Sequence, residues 1–154
     1  MPDTAQEIRR ARPEDCVAIV QLIEALRRED GGVPLDRDSA VEAVRTCLIS
    51  PGSGVYVAAR GSTLDGFIVV HWIPFPMLAG TEAYISDLIV ERRQRGSGTG
   101  RRLVAIVERE ARDRGCIRLM LNNRLAAESF KRGFYAKLGF RVREEFANLV
   151  RHLR

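Results

Sequence analysis

Apolar residues recur along this chain in two rhythms, one helical and one extended. From Pro13 to about residue 28, Cys16, Ile19, Val20, Ile23 and Leu26 return every three or four positions, the period of a helix with one buried face. Pro13 suits the first turn of that helix, because its missing N–H has no partner to lose there. A polar loop containing Asp30, Gly31, Gly32 and Asp36 follows. Val41, Val44 and Leu48 then mark a second helix over residues 38–49, which Pro51-Gly52-Ser53-Gly54 stops. Residues 55–60 and 65–72 are short β-prone runs joined by Gly61-Ser62-Thr63-Leu64, the pattern of a hairpin. Residues 81–90 predict a third long strand, interrupted by the polar Glu82, Ser86 and Asp87. Helical spacing resumes over residues 99–114 through Leu103, Val104, Val107 and Ala111, with Gly115 as a C-cap. Residues 116–121 read as a strand and residues 126–138 as a helix with Phe130, Phe134 and Leu138 on one stripe. Residues 140–146 and 149–153 read as final strands. With a short opening strand at residues 8–11, the order is β-α-α-β-β-β-α-β-α-β-β. That is an α/β (α+β) fold on a mixed central sheet, one domain over residues 8–154 behind a tail of residues 1–7.

Composition narrows the function. The 154 residues suffice to close one core. No apolar run is long enough to span a bilayer, and residues 1–7 lack the basic and apolar parts of a secretion signal. The expectation is a cytoplasmic protein with no membrane partner. Cys16, Cys47 and Cys116 are odd in number and widely spaced, so they read as reduced, mostly buried thiols. His71 and His152 are too few and too far apart to found a zinc site, and no metal is expected. The net charge is +5, from 25 Lys and Arg against 20 Asp and Glu. Its position matters more than its size: Arg92, Arg93, Arg95, Arg101 and Arg102 bracket the turn Arg95-Gly96-Ser97-Gly98-Thr99-Gly100. Basic charge there suits a phosphorylated small ligand. Few aromatics accompany the arginines, so no nucleic-acid partner is expected.

A strand, a glycine-rich turn and a helix in succession make an anion site. The helix's first N–H groups are unpaired and carry partial positive charge, and glycine lets the backbone approach phosphate oxygens closely. Spacing excludes two familiar versions. A dinucleotide fingerprint starting at Gly96 needs glycine where this chain has Arg101. A P-loop needs Gly-Lys-Ser/Thr where it has Arg101-Arg102.

The turn resembles instead the central Arg/Gln-x-x-Gly-x-Gly/Ala motif of the GNAT superfamily of N-acetyltransferases. Asp87-Leu88-Ile89-Val90 precedes it, and Phe134-Tyr135-Ala136-Lys137-Leu138-Gly139-Phe140 is similar to that superfamily's later motif. The resemblance implies a splayed strand pair that receives acetyl-CoA as cosubstrate. Backbone groups of Leu88 and Val90 would pair with the pantetheine as an added strand does. The N–H groups from Arg95 through Gly96, Ser97, Gly98 and Thr99 to Gly100 would hold the pyrophosphate, with Arg95 and Arg101 adding charge-assisted contacts. Thr99 stands where an aliphatic residue is usual. Glu128 and Lys131 replace the later motif's Asn and Ala, leaving Asn122 and Asn123 as alternative polar contacts. A homodimer through the C-terminal strands is implied by analogy.

Amide formation from a thioester needs a neutral amine, donors to the acyl oxygen and a proton for the sulfur. By resemblance, Tyr135 is the proton donor, and the amide of Leu88 or Ile89 polarises the acyl carbonyl. For the base, Glu82, Asp87 and a water relay all stand open. Alternation puts Glu82, Tyr84, Ser86 and Leu88 on one face of the strand and Asp87 on the other, so the two carboxylates line one cleft only if a bulge intervenes. Trp72 and Ser86, with His71 and residues 74–76 nearby, are the candidate walls of the acceptor pocket. The expected acceptor is a small-molecule amine, with a protein N-terminus or lysine, or a non-catalytic acyl-CoA sensor, as alternatives.

Overall fold

Five strands join in chain order into one mixed sheet. They are β1 (Glu7–Arg10), β2 (Ser53–Arg60), β3 (Thr63–Phe75), β4 (Gly80–Val90) and β5 (Arg118–Leu121). The first four run antiparallel, and β5 lies parallel to β4. Helices α1 (Cys16–Glu29), α2 (Arg37–Ile49) and α3 (Thr99–Asp113) cover the sheet, while α4 (Glu128–Lys131) and α5 (Phe134–Lys137) lie beyond it in the chain. The computed structural model describes residues 5–153. Packing divides the chain into a larger unit ending at Asn122 and a smaller one beginning at Asn123.

Directly paired residues of neighbouring strands point to the same side of a sheet. Val55, Val57 and Ala59 on β2 therefore share a face with Phe67 and Val69 on β3 and Ile89 on β4. Those side chains form one buried cluster with Cys16, Ile19, Val20 and Leu22 of α1 and Val44 of α2. The opposite face, with Ala58, Ile68, Val70 and Ala83, is covered by α3, which contributes buried Leu103, Val104, Val107 and Ala111. Apolar stripes predicted from sequence thus point where a two-sided sheet needs them. Each fully buried Ile, Val or Phe contributes about 1.5–3 kcal/mol.

Local chemistry sets the helix starts. Asp36 of the loop that the sequence marks as acidic caps α2, its Oδ1 accepting from the Ser39 amide at 2.8 Å. Arg37 then binds Glu24 through Nε and Nη2 at 3.0 and 2.7 Å, tying α2 to α1. Ahead of α1, a short 3-10 turn over Pro13–Asp15 presents Asp15 to Arg9 through two bonds of 2.7 and 3.0 Å and to the Arg12 amide at 2.7 Å.

Three expectations are corrected. The first strand begins at Glu7, and Gln6 beside it bonds Asp65, Thr99 and Arg102; of the residues read as a tail, residues 1–4 lie outside the described ones. The single helix expected over residues 126–138 is two short ones. Gly133 takes φ +68, its amide closing α4 on the Phe130 carbonyl, a left-handed position that glycine occupies without a Cβ clash. No strand forms among the described residues after Leu121. Residues 141–153 are exposed and charged at Arg141, Arg143, Glu144 and Glu145, and no neighbouring strand completes their backbone hydrogen bonds. The C-terminal strands invoked for a dimer interface are therefore absent from this fold.

The Arg9–Asp15 pair is partly buried and doubly bonded, and the Arg9 guanidinium holds the Asp15 carboxyl below its ordinary range. A depressed carboxyl contributes stability that is present above its unfolded pKa and lost as pH falls through the folded one. Asp15→Asn is expected to cost about 2 kcal/mol in urea unfolding at neutral pH. The difference from the native chain should shrink below about pH 4 as the native carboxyl protonates.

Candidate active site

β4 is the strand on which the site is built. It pairs with β3 from Gly80 to Val90, but with β5 only from Glu82–Arg118 to Ile85–Leu121. Beyond Ile85, no strand among the described residues pairs with residues 86–90 on that edge, so outward backbone groups there are open to an extended ligand, apart from the Val90 carbonyl, which accepts from Arg95. Leu88, Ile89 and Val90, assigned to the ligand from sequence, lie on this open stretch.

The register of β4 against β3 slips where the open stretch begins. Val70 pairs with Ile85 and Val69 with Asp87, leaving Ser86 as an extra residue in a bulge. Its effect on side-chain direction is large. Ile73–Glu82, His71–Tyr84, Val69–Asp87 and Phe67–Ile89 are all paired, so Glu82, Tyr84, Asp87 and Ile89 share the face toward α1 and α2. The condition under which both carboxylates line one face is thus met, but their surroundings differ. Glu82 is 2% exposed and tied to Arg118 at 2.5 Å. Burial and the Arg118 pair make it a structural carboxylate. Asp87 is exposed; Ser86 Oγ donates to its Oδ2 at 2.7 Å and sits 3.0 Å from His71 Nε2. Asn122, at the end of β5, donates to the Tyr84 hydroxyl at 3.3 Å, placing it at the fork between the two strands.

After Val90 the chain turns through a 3-10 turn, Arg92–Gln94, capped by Glu91, whose carboxylate accepts from the Arg93 amide. Gly96 and Gly98 follow with φ of +83 and +87 and open space where a Cβ would stand. Any L side chain there would be strained. Among the described residues, the amides of Gly96, Gly98, Thr99, Gly100 and Arg101 donate to no backbone or side-chain acceptor. A cluster of unpaired donors at the positive end of the 15-residue α3 fits a pyrophosphate. The Ser97 hydroxyl instead closes the turn, donating to the Gln94 carbonyl at 2.6 Å and lying 2.9 Å from Thr99 Oγ1. Thr99 is 1% exposed, and Gln6 Nε2 donates to its hydroxyl at 3.2 Å, which explains a polar residue where an aliphatic one is usual.

The flanking arginines divide. Arg95 spans Glu29 of α1 with bonds of 2.8 and 3.3 Å and donates from Nε to the Val90 carbonyl at 3.1 Å, so it braces the turn. Arg92, Arg93 and Arg101 are exposed and form no ion pair among the described residues. Of the two arginines assigned to the phosphates from sequence, Arg101 is the one whose guanidinium is uncommitted.

The assignment of Trp72 separates from this site. Trp72 pairs with Ala83 on the α3 face, opposite His71 and Asp87. It is buried beneath the Arg114 guanidinium at 4.6 Å, so it packs rather than walls an acceptor pocket. Tyr135 belongs to the smaller unit, edge-on to Phe134 and Phe140 with centroids 4.9 and 5.7 Å away. Burial raises its phenol above the ordinary range. The thiols of Cys16, Cys47 and Cys116 are likewise raised first by burial. Arg118 and Gln6 escaped the sequence reading, although a lone Arg in the apolar run Cys116-Ile117-Arg118-Leu119-Met120-Leu121 signals a buried acidic partner.

Comparison with known proteins bears on this geometry. The sequence model of the Acetyltransferase (GNAT) family matches residues 19–140. The chain is 31% identical over 128 residues to an aminoglycoside N(6')-acetyltransferase type 1 of Stenotrophomonas maltophilia, across 79% of this chain and 78% of that protein. It is 36% identical over 83 residues to glucosamine 6-phosphate N-acetyltransferase 1 of Oryza sativa subsp. japonica. That match covers 54% of this chain but only 48% of the relative, about half its length. A predicted acetyltransferase with acetyl-CoA from Clostridium acetobutylicum superposes with a TM-score of 0.79 at 20% identity, over 95% of this chain and 96% of the other. At that identity the likeness is one of fold.

Removing Arg118 leaves the buried Glu82 carboxylate uncompensated. Arg118→Ala is expected to cost about 3 kcal/mol in denaturant unfolding. The double variant Glu82→Leu, Arg118→Met should recover most of that loss, because an apolar pair avoids the desolvation. A further loss in the double variant would show that the pair does more than hold β4 to β5.

Proposed function

This chain belongs to the acetyltransferase (GNAT) family and is an acetyl-CoA-dependent N-acetyltransferase; from that premise we propose that it acetylates a primary amine of a small molecule by direct attack. Acetyl-CoA supplies the activated acyl group as a thioester. The observation that carries the reading is the continuity of the open β4 edge, residues 86–90, with the unpaired amides of Gly96, Gly98, Thr99, Gly100 and Arg101; those of Arg95 and Ser97, assigned to the phosphates from sequence, are bonded within the turn. The first suits an extended amide-bearing arm and the second its pyrophosphate.

Direct attack is favoured over a covalent acetyl-enzyme by the three cysteines. Burial raises each thiol, which keeps it protonated and a poor nucleophile. The small-molecule acceptor is supported by the aminoglycoside and amino-sugar phosphate activities that the two named relatives bear. Tyr135 is the proposed proton donor to the sulfur. Burial raises its phenol, so it stays protonated through neutral pH and keeps a proton to direct at the sulfur as the thioester C–S bond breaks.

Free-thiol release from acetyl-CoA, followed with an aminoglycoside, glucosamine 6-phosphate, a polyamine and a lysine peptide, tests the acceptor class. At least one small amine should exceed the peptide about tenfold in kcat/KM, a difference of about 1.4 kcal/mol in transition-state binding. Turnover of the peptide alone overturns the acceptor class, and coenzyme binding with no turnover supports a sensor.

Tyr135→Phe should lower kcat about 10²-fold with the KM for the amine little changed. A variant with unaltered kcat removes the tyrosine from the chemistry.

A further inference from the structure

The β4 bulge brings two titratable side chains onto one hydroxyl. Ser86 Oγ donates to Asp87 Oδ2 at 2.7 Å and lies 3.0 Å from His71 Nε2. A hydroxyl carries a single proton. With that proton directed at Asp87, the Ser86 oxygen accepts from His71, so the neutral imidazole is protonated on Nε2 and bare on Nδ1. A carboxylate that fixes an imidazole's tautomer and balances the charge it gains makes that imidazole an effective base. Here a serine hydroxyl transmits the effect. An imidazole also titrates closer to neutrality than a carboxylate, which suits it better to share a proton with an amine.

We propose that His71 Nδ1 takes the proton of the acceptor ammonium, directly or through one water, and that Ser86 and Asp87 are the positioning residues that orient it. The inference rests on the acetyltransferase reading above and names the base for it. Two protons leave the nitrogen in all. One passes to His71 and on to water; the other ends on sulfur as the C–N bond forms and the thioester C–S bond breaks.

The surroundings of His71 are consistent with this role. On β4, Tyr84 stacks beside the ring with centroids 6.4 Å apart, its hydroxyl held by Asn122. On β2, the paired residue is Ser53, whose hydroxyl donates to the Cys47 carbonyl at 2.9 Å. On α2, the Cys47 thiol is raised first by burial and then by the charge of Asp87, the carboxylate that strand register sets on the His71 face. None of these groups is cationic, so a proton gained by His71 meets Asp87 through Ser86 without a competing positive charge. The cluster also sits where β4 loses β5 as a neighbour, at the start of the open edge.

The test compares kcat/KM against pH for the native chain and for His71→Gln, Ser86→Ala and Asp87→Asn, with an amine the native chain acetylates. His71→Gln should lose about 10²-fold near neutral pH and recover as pH approaches the amine's own ionisation, because deprotonation then no longer needs the protein. Ser86→Ala and Asp87→Asn should each lose about tenfold and keep a base-dependent limb. A native-like profile in His71→Gln overturns the proposal. A native chain that acetylates nothing overturns the acetyltransferase reading instead. Imidazole nitrogen NMR then judges the cluster by itself, since the chain has two histidines and His71→Gln identifies the signals. His71 should be protonated on Nε2, and Ser86→Ala should move that nitrogen while His152 stays fixed. An unmoved resonance overturns the relay whether or not any amine reacts.

Discussion

Backbone hydrogen bonding along β4 is lopsided, and most of the molecule's arrangement answers to that fact. On one edge β4 is paired with β3 for its whole length. On the other it is paired with β5 for four residues and then left open for five. An exposed strand edge is a liability in most sheets, because its N–H and C=O groups invite another strand. Here the open half lies directly before the glycine turn, so the same unpaired groups extend toward the free amides of α3. The parallel half is secured at its start by Glu82 and Arg118, a largely buried ion pair that ties the first residue of β5 to β4. Its desolvation cost argues against a mainly stabilising role and for one that sets register.

The bulge at Ser86 follows from the same strand. Regular alternation would set Asp87 against α3 and leave Ser86 beside Tyr84. One extra residue reverses the side-chain directions after it, and the polar groups His71, Tyr84, Ser86 and Asp87 gather at the mouth of the open edge. The extra residue is stabilised by what it reaches, the Asp87 carboxylate and the His71 ring. A local departure from the ladder thus concentrates chemistry where the ladder ends.

Charge near the turn is sorted by function. Arg95 is spent on Glu29 and the Val90 carbonyl, which fixes the turn to α1 and to the end of β4. Arg102 is held by Gln6, itself bonded to Asp65 and Thr99. Such anchoring keeps the glycine backbone in place while Arg92, Arg93 and Arg101 extend into solvent. A basic cluster in a sequence therefore holds two populations, and only geometry distinguishes a brace from a free cation.

Local order in the chain was enough to place most elements. The three-and-four spacing of Cys16, Ile19, Val20 and Ile23, the glycines at 96 and 98, and the run of strands through residues 55–90 depend on neighbours in sequence, and they appear where the pattern put them. The glycine turn and the Phe134–Phe140 motif likewise carried the family. What sequence could not determine depended on partners distant in the chain. Whether Gly133 interrupts a helix, whether residues 140–153 find a strand to pair with, and which arginine meets Glu29 are decided by tertiary packing. The same holds for the two carboxylates. Glu82 and Asp87 have equal standing as letters on one strand, and only the Arg118 paired with one and the Ser86 bulge beside the other make the first a buried anchor and leave the second at the site. Spacing along a chain determines periodicity and cap chemistry, whereas burial, register and pairing belong to the assembled sheet.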